Sequence, residues 1–185
     1  MRLNMATQIE TRLQIAACVN ELMKKKPLEK ISVVEVCKAA DISRTTFYSY
    51  FQDVYAVSEW LWEYTIRNIL TGIGTEYGWS EGHRRVYEFM LKNKNCFLHT
   101  ESDRHRNSFL APADENSLKI HAKNIETKLG RPLTDKELQL LSYISYIHAS
   151  ITHKWISDGM EVPPAEMQEM IADLLPPLII DTLGK

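Results

Sequence analysis

Arg44, Thr45, Thr46, Tyr48 and Ser49 fall within six residues of a 185-residue chain, with Ser43 before them and Tyr50 after. Their chemistry is that of nucleic-acid readout. An Arg guanidinium pairs bidentately with guanine O6 and N7, a Thr hydroxyl or methyl meets a base edge, and Tyr and Ser hydroxyls reach phosphate oxygens. Phe47 and Phe51 are interleaved with these polar residues. At about 100° per residue the two rings lie one helical turn apart and share a face with Ile42, while Arg44, Thr45, Tyr48 and Ser49 point the other way. A helix docked by its N-terminal end would then aim Arg44 and Thr45 at base edges. The same pattern also fits a solvated polar face on an ordinary core helix.

The surrounding elements must hold that face in place. Ile15, Cys18, Val19, Leu22 and Met23 form the stripe of an amphipathic helix over 7–25, closed by Pro27. Ser32-Val33-Val34-Glu35 reads as a capping box opening a second helix with Val33, Val36, Cys37 and Ala40 on one face. Ser43 is an N-cap for the third helix, and Ile42 and Phe47 occupy the positions of a hydrophobic staple. Two short helices joined by a tight turn make a helix-turn-helix candidate.

Beyond it, a helix is expected from Asp53 to about Leu70. Gly72, Gly74 and Gly78 then mark a connection over 71–82, and another helix follows around Val86, Phe89 and Met90. Residues 99–115 carry no readable period. Leu118, Ile125 and Leu129 predict a helix stopped by Gly130, and Thr134 with Glu137 a second capping box before a helix to about Ser157. Between Glu137 and Lys154 that helix has no residue of fixed charge. Leu140, Ile144, Ile147, Ile151 and Trp155 line one face, and Ser142, Ser145, Ala149 and Thr152 form a stripe of small residues beside it. Such a helix needs cover on more than one side. Pro164 opens a last helix with Met167, Met170, Ile171, Leu174 and Leu175 on one face, which Pro176-Pro177 should kink or end.

Composition bounds the function class. Forty-four per cent hydrophobic residues suit one sizeable core or a core with a small appended domain, and 7 Gly and 7 Pro favour helices over short strands. Three cysteines without CxxC spacing suggest neither a disulfide framework nor a zinc module. No apolar segment suits a signal peptide or membrane span, so a cytoplasmic protein is expected. Residues 1–52 hold eight Lys/Arg against five Asp/Glu in a chain of net charge −2, a basic head on an acidic body. His148 and His153, five apart, diverge too far around the helix for a good metal pair. No catalytic triad, P-loop or dinucleotide fingerprint is present, so neither an enzyme nor a cofactor is expected.

The segment NELMKKKPLEKISVVEVCKAADISRTTFYSYFQDVY resembles the DNA-binding domain of the tetracycline-repressor (TetR) family of transcriptional regulators. The resemblance rests on Arg12, Ile15, Leu22, Met23, Ser32-Val33, Ala40, Ile42-Ser43-Arg44, Thr46-Phe47-Tyr48 and Tyr50-Phe51, and covers about 7–70. It implies an all-α homodimer whose paired third helices enter successive major grooves of a palindromic double-stranded operator, and a repressor released when its two heads change their spacing. The helix-turn-helix domain is expected over 1–52 and a helical dimerisation and effector-binding domain over 53–185. By position the resemblance gives Ser32 and Val33 contact with the DNA backbone, Arg44, Thr45 and Thr46 contact with bases or nearby phosphates, and Tyr48 and Tyr50 contact with phosphates. Ser43 and Ser49 lie on the same surface.

The sequence departs from the family pattern at Asp41, where a turn glycine is usual, at Val54, which replaces a phosphate-binding lysine, and at Tyr55, which replaces an acidic residue. Lys24, Lys25, Lys26 and Lys30 are candidates to compensate. The resemblance also implies that the helices from 138 and 164 pair across a dimer through Leu140, Ser142, Ser145, Ala149, Thr152, Met167, Met170, Ile171 and Leu174, although both helices also fit a monomer core. Trp60, Trp62, Tyr64, Tyr87, Phe89, Tyr143 and Tyr146 suit either an apolar effector pocket or plain core. The trailing QDVYAVSEW resembles a subgroup that includes an operon activator acting beside a partner protein. The alternative function is therefore a co-regulator working through a protein partner with weak or no DNA binding.

Overall fold

The computed structural model describes residues 5–94, 97 and 106–184, with side chains over 7–94, 97 and 115–184, so of the stretch 99–115 the first seven residues lie outside the described residues and 106–115 are helical. Among the described residues there are nine α-helices and no strand beyond an isolated bridge between Ile73 and Tyr77. The chain divides into two compact units between Tyr64 and Thr65, further along than 52/53 and inside a helix.

The N-terminal unit contains α1 (Met5–Met23), α2 (Val33–Ala40), α3 (Arg44–Tyr50) and the first part of α4 (Val54–Gly72). Its ends are set by local chemistry. Ser32 Oγ accepts from the Glu35 N–H while the Ser32 N–H donates back to the Glu35 carboxylate, completing the capping box. Asp41 ends α2 in the left-handed conformation, φ 51° and ψ 47°, with its N–H donating to the Cys37 carbonyl. A short Asx-type side chain tolerates that region better than most residues. Gln14 Nε2 donates to the Ala40 carbonyl at 3.0 Å and so ties α1 to the end of α2. Asp53 Oδ1 accepts from the Ala56 N–H at the start of α4.

The core beneath these caps gathers Ile15, Val19, Leu28, Val36, Phe47, Phe51 and Val57. Phe47 is fully buried, which stabilises the unit by about 2–3 kcal/mol. Arg12 lies over the Phe51 and Trp60 rings, 5.7 and 5.6 Å from their centroids.

In the C-terminal unit, α5 (Trp79–Lys92) packs on α8 (Pro164–Ala172), α6 (Arg106–Leu129) packs on α7 (Asp135–Ser157), and α9 (Pro177–Leu183) lies against both α5 and α6. Thr134 and Glu137 form the expected capping box of α7, and Gly130 follows α6 at φ 65°. Two expectations are corrected. The connection over 71–82 is shorter, because α5 begins at Trp79 and Gly82 lies within it. A Cβ at Gly82 would collide with the Ile73 side chain, so this glycine permits close packing rather than breaking the helix. The last helix stops at Ala172, leaving Leu174 and Leu175 outside it, and Pro177 opens the further helix α9 from its first position. The residue before a proline is driven out of the helical region, so the chain leaves α8 ahead of Pro176 and re-enters a helix after it.

Candidate functional site

Seven residues make too short a helix to persist alone, and α3 is held by its cap and its core side. Ser43 Oγ accepts from the Thr46 N–H at 3.0 Å and lies 2.8 Å from Thr46 Oγ1, and Ser49 Oγ donates to the Thr46 carbonyl at 2.6 Å. The hydroxyls of Ser43, Thr46 and Ser49 are thus engaged in holding the helix. Arg44, Thr45 and Tyr48 are exposed, Tyr48 to 50%, and their polar groups make no hydrogen bond or ion pair among the described residues. Tyr50 is half-buried against the core.

At the start of α2 the Ser32 hydroxyl donates to Glu35 Oε2, and Lys26 donates to Glu35 Oε1 at 2.6 Å. These bonds hold the Glu35 carboxyl down at about 2, the Lys26 bond being the largest cause. Val33 packs against the core, and it is Val34 that stands exposed beside Ser32. Lys24 is paired with Glu21, whereas Lys25 and Lys30 are exposed. Val54 is buried in the head core, so this position offers packing in place of a phosphate contact.

The C-terminal unit holds a cavity of about 80 Å³. Trp79, His83, Val86, Tyr87 and Met90 of α5 line one side, Ser117 and His121 of α6 another, and Ser145, His148, Ala149, Thr152 and His153 of α7 a third, with Ile66 and Leu70 of α4 completing it. Trp79 stacks on His83 with ring centroids 4.4 Å apart and lies 4.2 Å from His121, and His148 meets His83 edge-on at 4.4 Å. The His83 Nδ1–H donates to the Trp79 carbonyl at 2.9 Å. Tyr87 Oη lies 2.9 Å from His148 Nε2 and 3.1 Å from Thr152 Oγ1. Thr152 donates its own proton to the His148 carbonyl at 2.9 Å. All three contacts are satisfied together only when Tyr87 donates to Thr152 and accepts from His148 Nε2–H.

Loss of water around the rings lowers the pKa of His83, His121 and His148: His83 falls to about 4, and His121 and His148 lie well below the ordinary value, neighbouring histidines adding to the effect at these two. Burial also pushes the Tyr87 phenol upward. At neutral pH His83, His121 and His148 are therefore uncharged.

Residues 78–176, more than half of the chain, match the TetR-type family described as "Transcriptional regulator C-terminal region". The chain belongs to the TetR family of transcriptional regulators. It is 34% identical over 92 residues to the HTH-type dhaKLM operon transcriptional activator DhaS of Lactococcus lactis subsp. lactis strain IL1403, a match spanning 50% of this chain and 49% of that relative, about half the relative's length. A solved structure of a dihydroxyacetone kinase operon activator DhaS is similar with TM-score 0.69 and 23% identity, over 94% of this chain and 97% of that one. The TetR family repressor AlkX from Dietzia sp. strain DQ12-45-1b is similar with TM-score 0.61 and 15% identity, over 92% and 98%. These two structures speak for the fold, a helix-turn-helix domain with a helical C-terminal domain.

Within this TetR fold the expected pocket residues are dispersed. Tyr87 alone among them lines the cavity. Trp60 and Tyr64 stack on each other in the N-terminal unit, 5.1 Å apart, where Trp60 also packs edge-on against Phe51. Phe89 packs edge-on against Phe97, and Tyr143 and Tyr146 are exposed to 58% and 75%. Expected dimer residues separate as well. Ser145, Ala149 and Thr152 line the cavity, while Met167 and Ile171 are buried in the chain's own core. Leu140, Ser142, Met170 and Leu174 are exposed, alongside Leu138, Tyr143, Tyr146 and Ile147.

The cavity residues the sequence reading missed were Trp79, His83, His121 and His148. Trp79, His83, Val86, Tyr87 and Met90 lie on one helical face, a signal hidden when 71–82 is taken as a connection. No helix among the described residues is long and apolar enough to cross a membrane, and no described cluster of His, Cys, Asp or Glu is arranged to hold a metal ion.

Proposed function

We propose that this TetR-family chain is a dimeric regulator that reads double-stranded operator DNA with α3. The observation that carries the reading is a seven-residue helix whose Arg44, Thr45 and Tyr48 groups stand exposed and unpaired while Phe47 and Phe51 anchor it from beneath. An Arg and a Thr near the N-terminus of such a helix face base edges in the major groove, and a tyrosine further along meets phosphate. Ser32, at the start of α2, and exposed Lys25 and Lys30 supply further contacts to the DNA backbone.

Exposed Leu140, Tyr143, Tyr146 and Ile147 on α7, with Met170 and Leu174 nearby in sequence, supply an apolar surface for a second copy, and a twofold pair suits a palindromic site. The DhaS relative is an operon activator and AlkX a repressor, so repression is a finer claim than DNA binding. We propose repression by operator occupancy, relieved by an effector in the C-terminal cavity, with the protein acting in the cytoplasm.

A salt titration against a selected palindromic duplex tests the reading. A reader of six to ten phosphates loses roughly three to five decades of affinity between about 50 and 200 mM salt. A second reading, regulation through a protein partner with little DNA affinity, is favoured by exposed Asp41 at the turn and by burial of Val54. It takes over if no duplex binds at low salt. Tyr146→Asp is expected to convert a dimer to a monomer in sedimentation, and an unchanged mass removes the proposed α7 interface.

A further inference from the structure

Among the described residues of the N-terminal unit, Val34 stands furthest into solvent of the large hydrophobic side chains, 58% exposed against 50% for Tyr48 and 41% for Tyr55. The two tyrosines carry a hydroxyl that water can bind, and Val34 has only an isopropyl group. Its neighbours on α2 show what a valine does when it serves the fold: Val36 is fully buried, and Val33 packs against the core. Val34 belongs neither to that core nor to the partly buried side chains around it. A β-branched residue lends no helix propensity either.

A single exposed valine is ordinary on most surfaces, and its place is what marks this one. Val34 is the second residue of α2, two along from Ser32, where the proposed contact brings a DNA phosphate. Helical side chains lean toward the N-terminus, so the isopropyl group covers the turn at Ser32 and faces whatever docks there. One turn further along the same flank is Lys38, exposed and without a hydrogen bond or ion pair among the described residues. The adjoining anion, Glu35, is already engaged by Ser32 and Lys26. The first turn thus offers DNA a hydroxyl and an apolar group with its carboxylate neutralised, and Lys38 supplies a cation beside them.

In the major groove the thymine C5-methyl is the hydrocarbon that base edges present, and it stands next to the sugar–phosphate wall. The first helix of a helix-turn-helix crosses that wall while the second enters the groove. A hydroxyl or amide at position 34 would pair with phosphate on any sequence, whereas an isopropyl group gains where a methyl meets it. We propose that Val34 is a specificity-determining residue that covers the C5-methyl of one thymine in each half-site. This assignment, which rests on the proposed reading of DNA by α3, adds a sequence contact from α2.

The test takes the full-length chain and the tightest palindromic duplex recovered from a randomised pool. Symmetry-related thymines are replaced pair by pair with deoxyuridine, which lacks only the methyl group, and fluorescence anisotropy at fixed salt reads the affinity. One pair is expected to lose about fifteenfold, about fourfold for each methyl group left in water. Val34→Ser is expected to lose a similar factor on the thymine duplex and, at that pair alone, no longer to distinguish thymine from deoxyuridine, while Val34→Ile keeps the distinction. A thymine covered by Thr45 stays sensitive in Val34→Ser. Because Val34 lies outside the core, Val34→Ser is expected to keep the unfolding temperature, and the deoxyuridine scan on the unaltered chain stands independently of any variant. The assignment is overturned if selection fixes no thymine in the half-site, if no pair responds to loss of its methyl groups, or if Val34→Ser keeps every response. Equal weakening of Val34→Ser on selected and random duplexes also overturns it and leaves a contact to the sugar–phosphate wall. A chain that binds no duplex at low salt overturns the reading by α3 and this contact together, whereas sequence-selective binding without a methyl response overturns the contact alone.

Discussion

The two units place their chemistry on opposite sides of their packing. In the N-terminal unit the distinctive polar groups, Arg44, Thr45 and the Tyr48 hydroxyl, stand in solvent over a core of Phe47, Phe51 and aliphatic residues. In the C-terminal unit the distinctive polar groups, His83, His121, His148 and Ser145, turn inward around a cavity. All six histidines of the chain lie after Tyr64, so the head has no side chain whose ordinary titration falls near neutral pH. The difference teaches that the head presents a charge that is constant across physiological pH, whereas the body holds groups whose neutrality depends on their staying dry.

The hardest way to break that contrast is to remove the support beneath the exposed face. Phe47→Ala is expected to cost about 3–5 kcal/mol, because it empties a fully buried site in a small core. Denaturant unfolding followed by a probe in each unit should show the head transition moving and the body transition staying. Equal movement of both would make the two units one cooperative fold.

Acidification attacks the other side. The histidine pKa values are lowered in the folded body, so between the ordinary value near 6.5 and about 4 the unfolded chain binds more protons than the folded one, and stability falls as pH falls. His83 alone contributes roughly 3 kcal/mol to that loss. Body stability measured from pH 7 down to about 4 should decline while the Glu35 cap of the head, with its carboxyl held near 2, persists. A body equally stable at both ends of this range would mean that the imidazoles are not buried as neutral groups.

Smaller changes sharpen the contrast within the head. Arg44→Ala should cost about 1–3 kcal/mol on a cognate duplex and relax preference at one base pair, with folding stability unchanged. Uniform weakening on every sequence would reassign Arg44 to phosphate. Ser32→Ala removes the acceptor for the Glu35 N–H and should cost about 1 kcal/mol of head stability by thermal unfolding, leaving the body unaffected.

The head was legible in the sequence because its boundaries are fixed over three or four residues. Ser32 with Glu35, Ser43 with Thr46 and the turn at Asp41 form their contacts locally, and the spacing of Phe47 and Phe51 gives the buried side. In the body the same local chemistry revealed Thr134 with Glu137 and the stop at Gly130. What escaped depends on distant partners. Gly82 looks like a breaker until Ile73 is brought against it, and Pro176-Pro177 looks like an end until Pro177 starts α9. Aromatic residue types alone could not distinguish Trp60, stacked on Tyr64 in the head, from Tyr87, beside the cavity. Nor could a stripe of small residues reveal that Ser145 and Ala149 face space inside the chain.

The internal engagement of Ser43, Thr46 and Ser49 has a consequence for how much information one head can extract from DNA. With those hydroxyls committed to keeping α3 wound and Tyr48 assigned to phosphate, the proposed reading leaves α3 of a single subunit Arg44 and Thr45 with which to distinguish a sequence, enough for only a few base pairs. A genome offers on the order of 10⁶–10⁹ competing sites, so so short a word recurs far too often to mark one promoter. In the proposed reading, uniqueness must come from reading the word twice at a fixed interval, and the economy of the smallest helix in the head becomes a reason for the protein to work in pairs.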